Sequence, residues 1–279
     1  MIEIKQMLDV DYRKAEESFD FKDADAEVIS FVKERNEDLN AIYESDELVG
    51  LALIEEDKEA YIYVFIDPSF RLKGIGKKAY KLCEDRIKQS DSKVIMSTYK
   101  LDNLDAKGFA NEQGYSRKFS STFMAYSCNQ FDLPELSIRN YLDEDFDIAY
   151  NMHAVAFHEM RLRVGDFPES VVKQGNDKIR GNWDKTAHER FVYLKEDKIV
   201  GYAHISGNEI SSVSVNSQYQ GQGIGRNFVK FVCNKILSAG YQSVGLYCVV
   251  GNYAKELYKS LGFEDVYTAE YIIKHLHEK

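Results

Sequence analysis

Apolar and polar residues follow two different periods along the chain, and both periods occur in each half. Alternation of the kind found in half-buried strands marks six short segments of the first half. These segments are 1–8, 39–44, 48–55, 60–66, 94–98 and 121–126. Apolar residues at helical spacing predict helices over 12–19, 23–39, 77–89 and 104–112. The first half therefore contains a strand, two helices and three successive strands, and then helices that alternate with strands.

The second half repeats this order. Three pairs of segments match at nearly constant offsets of 151, 149 and 148 residues: 46–52 with 197–203, 74–76 with 223–225, and 114–115 with 262–263. The first helices match at an offset of only 134, so the second half carries about 17 extra residues between its first helix and its hairpin. The repeat predicts two domains, residues 1–130 and 135–279, that pack on each other.

A glycine-rich loop separates the alternating run 210–215 from a predicted amphipathic helix. Its residues are Gln220, Gly221, Gln222, Gly223, Ile224, Gly225 and Arg226. Glycines permit positive φ angles and leave no Cβ atoms between a ligand and the backbone. Free N–H groups of the loop and the positive end of the helix then favour an anion such as a pyrophosphate. Such loops also occur as purely structural turns, but the chain has a second one at 71–76, which favours the functional interpretation.

Composition and charge exclude several classes of protein. Hydrophobic residues make up 44% of the chain and aromatic residues 13%, which is enough for packed cores and excludes a disordered chain. The net charge of −10 argues against a general nucleic-acid or anionic-membrane surface, since both require clustered Lys and Arg. No apolar run is long enough to span a membrane, and no basic segment with an apolar core begins the chain. We therefore expect a cytoplasmic protein.

The four cysteines lie far apart in apolar or strand-like segments. They are Cys83, Cys128, Cys233 and Cys248. None belongs to a C-x-x-C pair, so we expect buried free thiols, with a disulfide or a zinc site as the alternative.

Several residues of the second half form a pattern found in a known family. They are Gln220-x-x-Gly223-x-Gly225, then Ala254, Tyr258 and Gly262-Phe263. This pattern resembles that of the GNAT superfamily of N-acetyltransferases, and the resemblance covers nearly the whole chain as a tandem pair. It implies an α/β (α+β) fold in which each domain is a mixed, mostly antiparallel sheet flanked by helices. Asn252 departs from the pattern, because it stands one place after the family asparagine, where this chain has Gly251.

The resemblance implies acetyl-CoA as the cosubstrate and acyl donor, and no metal. The backbone of the strand that ends at Val213, Ser214 and Val215 would pair with the pantetheine arm. The glycine loop Gln220–Arg226 would hold the pyrophosphate, and Asn252 would make a further contact. The acceptor would be a primary amine of a small molecule or peptide; neither nucleic acid nor a membrane is an expected partner, and the sequence does not indicate an oligomeric state.

Acetyl transfer from a thioester to an amine requires that the ammonium lose a proton and that the leaving thiolate gain one. Tyr258 resembles the family's general acid, and a packing role is the alternative for this tyrosine. Glu209 lies 11 residues before Gln220, where some family members hold a carboxylate base. It has the strand parity of Ser211 and Val213, and a merely solvated glutamate is the alternative.

The first half has different residues at the two proton-handling positions. Ala110 lies four residues before Gly114, and Ala60 lies eleven residues before Arg71. Neither alanine can donate or accept a proton. Leu72 stands at the position that corresponds to Gly221 of the second half. Its side chain narrows the approach of a phosphate, although nearby lysines keep this loop cationic. We therefore expect the first half to be catalytically inactive, with CoA binding left open.

Other interpretations compete with acetyl transfer. Residues 74–79 fit the dinucleotide pattern G-x-G-x-x-A, but they follow an antiparallel series of strands and the second copy breaks the pattern. The extra segment of the second half and its surroundings contain His153, His158, Arg161, Arg163 and His188. Their spacing does not indicate a metal site, and they could bind an anionic group of the acceptor or be ordinary surface residues. Trp183 is expected to be a packing anchor. The rival of the enzyme hypothesis is a non-catalytic acyl-CoA-binding or sensor protein.

Overall fold

The computed structural model describes residues 1–24, 26–127 and 129–276, without the side chains of residues 26 and 27. The helices are α1 (Asp9–Ser18), α2 (Ala26–Glu34), α3 (Ile75–Ile87), α4 (Leu104–Glu112), α5 (Phe146–Val164), α6 (Asp177–Lys185), α7 (Ile224–Ser238) and α8 (Ala254–Ser260). The strands are β1 (Ile2–Gln6), β2 (Leu39–Glu44), β3 (Glu47–Glu55), β4 (Glu59–Ile66), β5 (Val94–Lys100), β6 (Ser116–Tyr126), β7 (Ile138–Asn140), β8 (Arg190–Lys195), β9 (Lys198–Ser206), β10 (Glu209–Val215), β11 (Val244–Val249) and β12 (Glu264–His275). Among the described helices, none combines the length and the apolarity that a bilayer crossing requires.

The chain forms two compact units. Unit 1 consists of residues 1–118 and 269–279, and unit 2 consists of residues 119–268. The boundaries of these units differ from the predicted division near residues 130–135. The reason is that the last strand of each half pairs with a strand of the other half. Residues 269–275 of β12 pair with β5 in unit 1, and residues 121–126 of β6 pair with β11 in unit 2.

Unit 1 contains a mixed sheet in the order β1-β2-β3-β4-β5-β12. The first four strands are antiparallel, and the short contact between β4 and β5 is parallel. Helix α3 packs on one face of the sheet, where it buries Ile75, Ala79, Cys83 and Ile87 at helical spacing. Tyr12 and Ala15 of α1 and Val32 of α2 belong to a separate core.

Unit 2 contains the strands β6-β11-β10-β9-β8-β7 in this order. Its antiparallel neighbours include β7–β8, β8–β9 and β9–β10, whereas β10 and β11 are parallel. Helix α7 and its neighbour α8 pack against one core, which includes Phe228, Val232 and Phe263. Residues of α5 and α6, among them Trp183 of α6, form another core with Tyr202 of β9. The mixed α/β fold predicted for each half is confirmed.

Candidate active site

The glycine loop of unit 2 leads directly into the N-terminus of α7. Gly221 and Gly223 have φ angles of +75° and +80°, in a region that residues with a Cβ rarely adopt. The N–H of Asn227 donates to the carbonyl of Gly223 at 3.0 Å, which opens the hydrogen-bond ladder of the helix. The N–H groups of residues 224–226 therefore have no acceptor within the helix. Together with the helix dipole, these donors form a site suited to an anion.

Side chains around this loop fix its shape and add positive charge. Gln220 Nε2 donates to the carbonyl of Val215 at 3.0 Å, which ties the loop to the end of β10. Lys195 Nζ donates to Gln222 Oε1 at 2.8 Å, and Arg226 donates at 2.8 Å to the end of α8. The loop thus contains one cation, Arg226, and contacts another, Lys195.

The glycine loop of unit 1 has the same backbone shape. Leu72 and Gly74 have φ angles of +61° and +78°, in the places of Gly221 and Gly223. Arg71 Nε donates to the carbonyl of Ile66 at 2.8 Å, and so makes the bond that Gln220 makes in unit 2. Leu72 extends fully into solvent. The repeat seen in the sequence therefore extends to the conformation of this loop.

Each unit has a pair of parallel strands that separate after a short contact. In unit 2, β10 and β11 pair only at Glu209 and Gly245. In unit 1, residues 59–61 of β4 pair with residues 94–96 of β5, and the strands then diverge. The space between them is a cavity of about 520 Å³ bordered by both strands, the glycine loop and α4. A backbone edge left unpaired in this way can bind an extended ligand.

Tyr258 lies on α8 and is the residue for which general acid chemistry was predicted. Its half-buried ring packs against Phe263, with centroids 5.8 Å apart. Burial, and then the neighbouring thiols of Cys248 and Cys233, raise the pKa of Tyr258, so the phenol is protonated at neutral pH. In unit 1 the corresponding Ala110 borders the large cavity, whose wall also includes Tyr80 and Tyr115.

The predicted strand parity of Glu209 is wrong, because β10 contains a bulge. Its register passes from Ile210 opposite Ile205 to Ser212 opposite His204, so that Ser211 is an extra residue. Ile210 and Val213 both contact the α7 core. Glu209 consequently lies on the other face of the sheet, which it shares with Ser212. Burial raises the pKa of the Glu209 carboxyl, which makes the ionised form a stronger base.

The remaining predicted contact residues have defined places. Asn252 Oδ1 accepts a bond of 3.0 Å from the N–H of Ala254, and Asn103 in unit 1 accepts from Ala106 at the same distance. Both asparagines therefore stabilise the start of a helix. Val213 contacts the α7 core, and the Ser214 hydroxyl is buried without a hydrogen-bond partner among the described residues.

A second cavity, of about 340 Å³, lies in unit 2 beside α5. Its wall includes His153 and Arg161, two of the residues singled out in the extra segment. The other three have different surroundings: His158 Nδ1 lies 3.0 Å from Ser170 Oγ, Arg163 lies over the ring of Tyr253, and His188 is largely exposed. Trp183 packs on Tyr202 and also borders this cavity.

Two further residues of this cavity were missed by the sequence analysis. Arg190 begins β8 and His204 lies near the end of β9, and both border the cavity. Neither belongs to a motif, and only the pairing of β8 with β9 brings them opposite each other. Strand register was the signal required, and the irregularity at Tyr193 and Leu194 shifts the register away from the one that the turn between β8 and β9 sets.

The described residues include three free thiols and no cluster of metal ligands. In the part of the chain that it describes, no group of three His, Cys, Asp or Glu side chains could hold a metal ion. Cys83, Cys233 and Cys248 are buried free thiols, as predicted, and burial raises the pKa of the first two to about 12. Cys128 lies outside the described residues.

Comparison with solved structures identifies similar folds. A GCN5-related N-acetyltransferase from Sphaerobacter thermophilus aligns with a TM-score of 0.68 and 17% identity over 99% of this chain and 96% of that chain. A tandem GNAT protein from the clavulanic acid biosynthesis pathway aligns with a TM-score of 0.66 and 14% identity over 100% of both chains. An acetyltransferase of the GNAT family from Colwellia psychrerythraea gives a TM-score of 0.60 and 13% identity over 98% of this chain and 100% of that chain. A search of curated proteins found no significant match.

Family profiles match both halves of the sequence. A profile described as acetyltransferase (GNAT) family matches residues 2–115, and one described as acetyltransferase (GNAT) domain matches residues 155–277. The two matches cover most of the chain, and the aligned structures share its fold over nearly its whole length. The chain is therefore a tandem member of the GNAT family of acetyltransferases.

Proposed function

We propose that unit 2 is an N-acetyltransferase that moves the acetyl group of acetyl-CoA to the primary amine of a small molecule or peptide. The observation that carries this proposal is Tyr258, a protonated phenol on α8 of unit 2, where unit 1 has Ala110. A single unit thus combines an intact glycine loop with a group able to protonate a leaving thiolate. The reaction would take place in the cytoplasm.

Each step of the transfer has a candidate residue in unit 2. The open edge of β10 at residues 213–215 would pair with the pantetheine arm, and the N–H groups of the glycine loop would hold the pyrophosphate. Glu209 would take a proton from the ammonium of the acceptor, directly or through water. The free amine would attack the thioester carbonyl, and its nitrogen would lose a second proton to water as the C–S bond breaks. Tyr258 would give its proton to the CoA thiolate and regain one from solvent.

A second candidate function, acyl-CoA binding without turnover, is favoured for unit 1. Its cavity of about 520 Å³ lies between the diverging strands and reaches the glycine loop. The loop keeps its shape despite Leu72, and Lys77 and Lys78 lie in the first turn of α3. Ala110 leaves the pocket without a proton donor at the position of Tyr258. Unit 1 would then bind the cosubstrate or sense its level.

A matched pair of loop variants tests both candidates. Gly74 and Gly223 begin their helices with similar φ angles, and a Cβ at either position would meet no atom within 4 Å. Gly223→Asp and Gly74→Asp therefore place a carboxylate at equivalent anion sites with equal strain. Thiol release from acetyl-CoA should be measured across a panel of amines, and CoA binding by calorimetry.

The two variants should give different results. We expect Gly223→Asp to abolish turnover and one binding site, whereas Gly74→Asp should remove only a second, non-catalytic site. Turnover that survives Gly223→Asp but not Gly74→Asp would place the activity in unit 1 and contradict the proposal.

A further inference from the structure

The α5 cavity of unit 2 contains a buried cation without a counterion. Arg190 is only 8% exposed, and its guanidinium donates to two neutral oxygens, the Thr186 hydroxyl at 3.0 Å and the Tyr202 hydroxyl. It also lies over the Trp183 ring, with Cζ 4.7 Å from the centroid. No carboxylate of the described residues forms an ion pair with Arg190. Because an uncompensated buried charge is costly, such a guanidinium is typical of a site that receives an anion.

The other charges around the cavity have the same sign. Arg161 and Lys173 also border it, and no Asp or Glu is among the described residues of its wall. Glu189 is not among the wall residues, although its Oε2 lies 3.8 Å from His204 Nε2. The cavity therefore has three cations and no internal anion.

Two imidazole nitrogens in the wall have no hydrogen-bond partner. They are His153 Nδ1 and His204 Nε2, and both are buried. Burial, followed by the field of Arg190, lowers the pKa of each of these histidines to about 4, so both rings are neutral at pH 7. Buried polar atoms without partners are rare in folded proteins, and both nitrogens are available to bind a polar ligand or water in the cavity.

The position of the cavity connects it with the proposed reaction. Ser211 and Ser212, at the bulge of β10, border it, and β10 is the strand proposed to hold the pantetheine arm. Glu209 lies on the same face of the sheet. Aromatic rings of Tyr150, Phe157 and Trp183 form the apolar part of the wall. The volume of about 340 Å³ is large enough for a single amino acid.

We propose that the α5 cavity binds the carboxylate of the acceptor, and that the acceptor is a small amine bearing a carboxylate, such as a free amino acid. Arg190 and Arg161 pair with the carboxylate, and the amine points toward the bulge of β10. This substrate class rests on the proposed acetyl transfer, but carboxylate binding itself does not require acetyl-CoA.

Trp183 provides a direct measure of binding, because it is the only tryptophan of the chain and lies in the cavity wall. Its fluorescence should be titrated with leucine and glutamate, with leucinamide, which lacks the carboxylate, and with inorganic phosphate. We expect saturable changes with at least one amino acid and none with leucinamide. Binding of phosphate without any amino acid, or equal binding of leucine and leucinamide, would overturn the proposal.

A matched pair of variants on α5 tests the role of the cations. Arg161→Gln should weaken amino-acid binding about tenfold or more, because it removes a charge-assisted hydrogen bond. Arg163→Gln lies two residues away, outside the cavity wall, and should leave binding unchanged. Arg190→Lys keeps the buried charge but not the guanidinium fork, and should also weaken binding if it folds. Unchanged affinity in Arg161→Gln would contradict the proposal.

Transfer assays separate this inference from the proposed function. Equal kcat/KM for an amino acid and its decarboxylated amine would overturn the carboxylate site and leave the acetyltransferase intact. Carboxylate binding that depends on Arg161, in a protein that acetylates no amine, would support the site and overturn the enzymatic function.

Discussion

Leu72 has a left-handed backbone conformation with φ of +61° and a side chain that lies fully in solvent. No packing of this side chain compensates the strain, so the loop around it imposes the conformation. A left-handed conformation of this kind persists where the surrounding structure requires it. Leu72 therefore indicates that unit 1 retains the backbone shape of the glycine loop of unit 2.

Replacement of Leu72 by glycine should stabilise the protein. The gain should be about 1 kcal/mol, because a residue with a Cβ loses roughly 1–2 kcal/mol in this conformation and the greater freedom of glycine in the unfolded chain offsets part of it. Thermal or urea unfolding of Leu72→Gly measures the gain. Leu72→Ala, which keeps the Cβ, is the control and should change stability little. Equal stabilities of the two variants would show that the loop is not strained.

His153 makes the stability of unit 2 depend on pH. Burial, and then the charges of Arg190 and Arg161, lower its pKa from 6.5 to about 4 in the folded protein. Between these values the unfolded chain binds a proton that the folded chain does not, so stability falls as the pH falls from about 6.5 to 4. Melting temperatures of His153→Gln should fall less over this range than those of the parent. His188→Gln, at a largely exposed position, should follow the parent, and parallel curves for all three would refute the prediction.

Tyr258 and Arg190 show which parts of a candidate site a sequence can indicate. Tyr258 belongs to a motif whose spacing sets its place on α8, and the structure has the helix where this spacing requires it. Arg190 is a single arginine at the start of a strand, where most arginines are solvated. Its burial arises from packing with Trp183 and Tyr202, which lie on other elements. Tertiary contacts of this kind leave no local signal.

The bulge in β10 determines which residues face each side of the sheet. With the extra residue Ser211, Ile210 and Val213 both contact the α7 core, while Glu209 and Ser212 lie on the α5 side. Simple alternation assigned Glu209 to the wrong face. The pattern predicted the strand itself, but a bulge changes the parity without changing the composition.

Deletion of Ser211 should therefore remove the bulge and leave the faces of the strand unchanged. Without Ser211, Ile210 and Val213 lie two positions apart, so a regular strand places both on the α7 core and keeps the burial of Ile210, which is worth about 2–3 kcal/mol. Ser211→Ala keeps the residue count and should change stability by less than about 0.5 kcal/mol. Thermal melts of the two variants give the comparison, and we expect similar melting temperatures. A deletion variant less stable than the alanine variant by about 2–3 kcal/mol, the value of the Ile210 burial, would mean that Ser211 is not the extra residue of the strand.

Strand pairing also decides which segments can fold alone. The repeat predicted domains that end near residue 130, and the helices and most strands agree with this repeat. It could not show that β5 pairs with residues 269–275 or that β11 pairs with residues 121–126, since long-range pairing has no local pattern. Lys274, at the end of β12, also contacts Glu84 of α3. Burial opposes ionisation of the Glu84 carboxyl, but hydrogen bonds from Lys274 and Lys88 outweigh this effect and hold the pKa of Glu84 at about 2.

Fragments of the chain test this pairing. Residues 1–130 lack the antiparallel partner of β5, and residues 135–279 lack the antiparallel partner of β11, so both fragments should unfold more readily than the whole chain. Residues 119–268 contain all strands of unit 2 and should be the most stable fragment. Circular dichroism during heating measures each transition. Cooperative melting of 1–130 and 135–279 at the temperature of the whole protein would contradict the assignment.

The loss of a single hydroxyl tests the proposed catalysis most directly. Tyr258→Phe keeps the ring packed on Phe263 and removes the proton donor, while Tyr115→Phe removes a buried hydroxyl from unit 1 as the control. With an amine that the parent protein acetylates, at saturating substrates and with chemistry limiting the rate, Tyr258→Phe should lower kcat about 100-fold or more with little change in acetyl-CoA affinity. Tyr115→Phe should keep the parent kcat. A Tyr258→Phe protein with the parent kcat would show that this tyrosine only packs and that unit 2 does not protonate the thiolate as proposed.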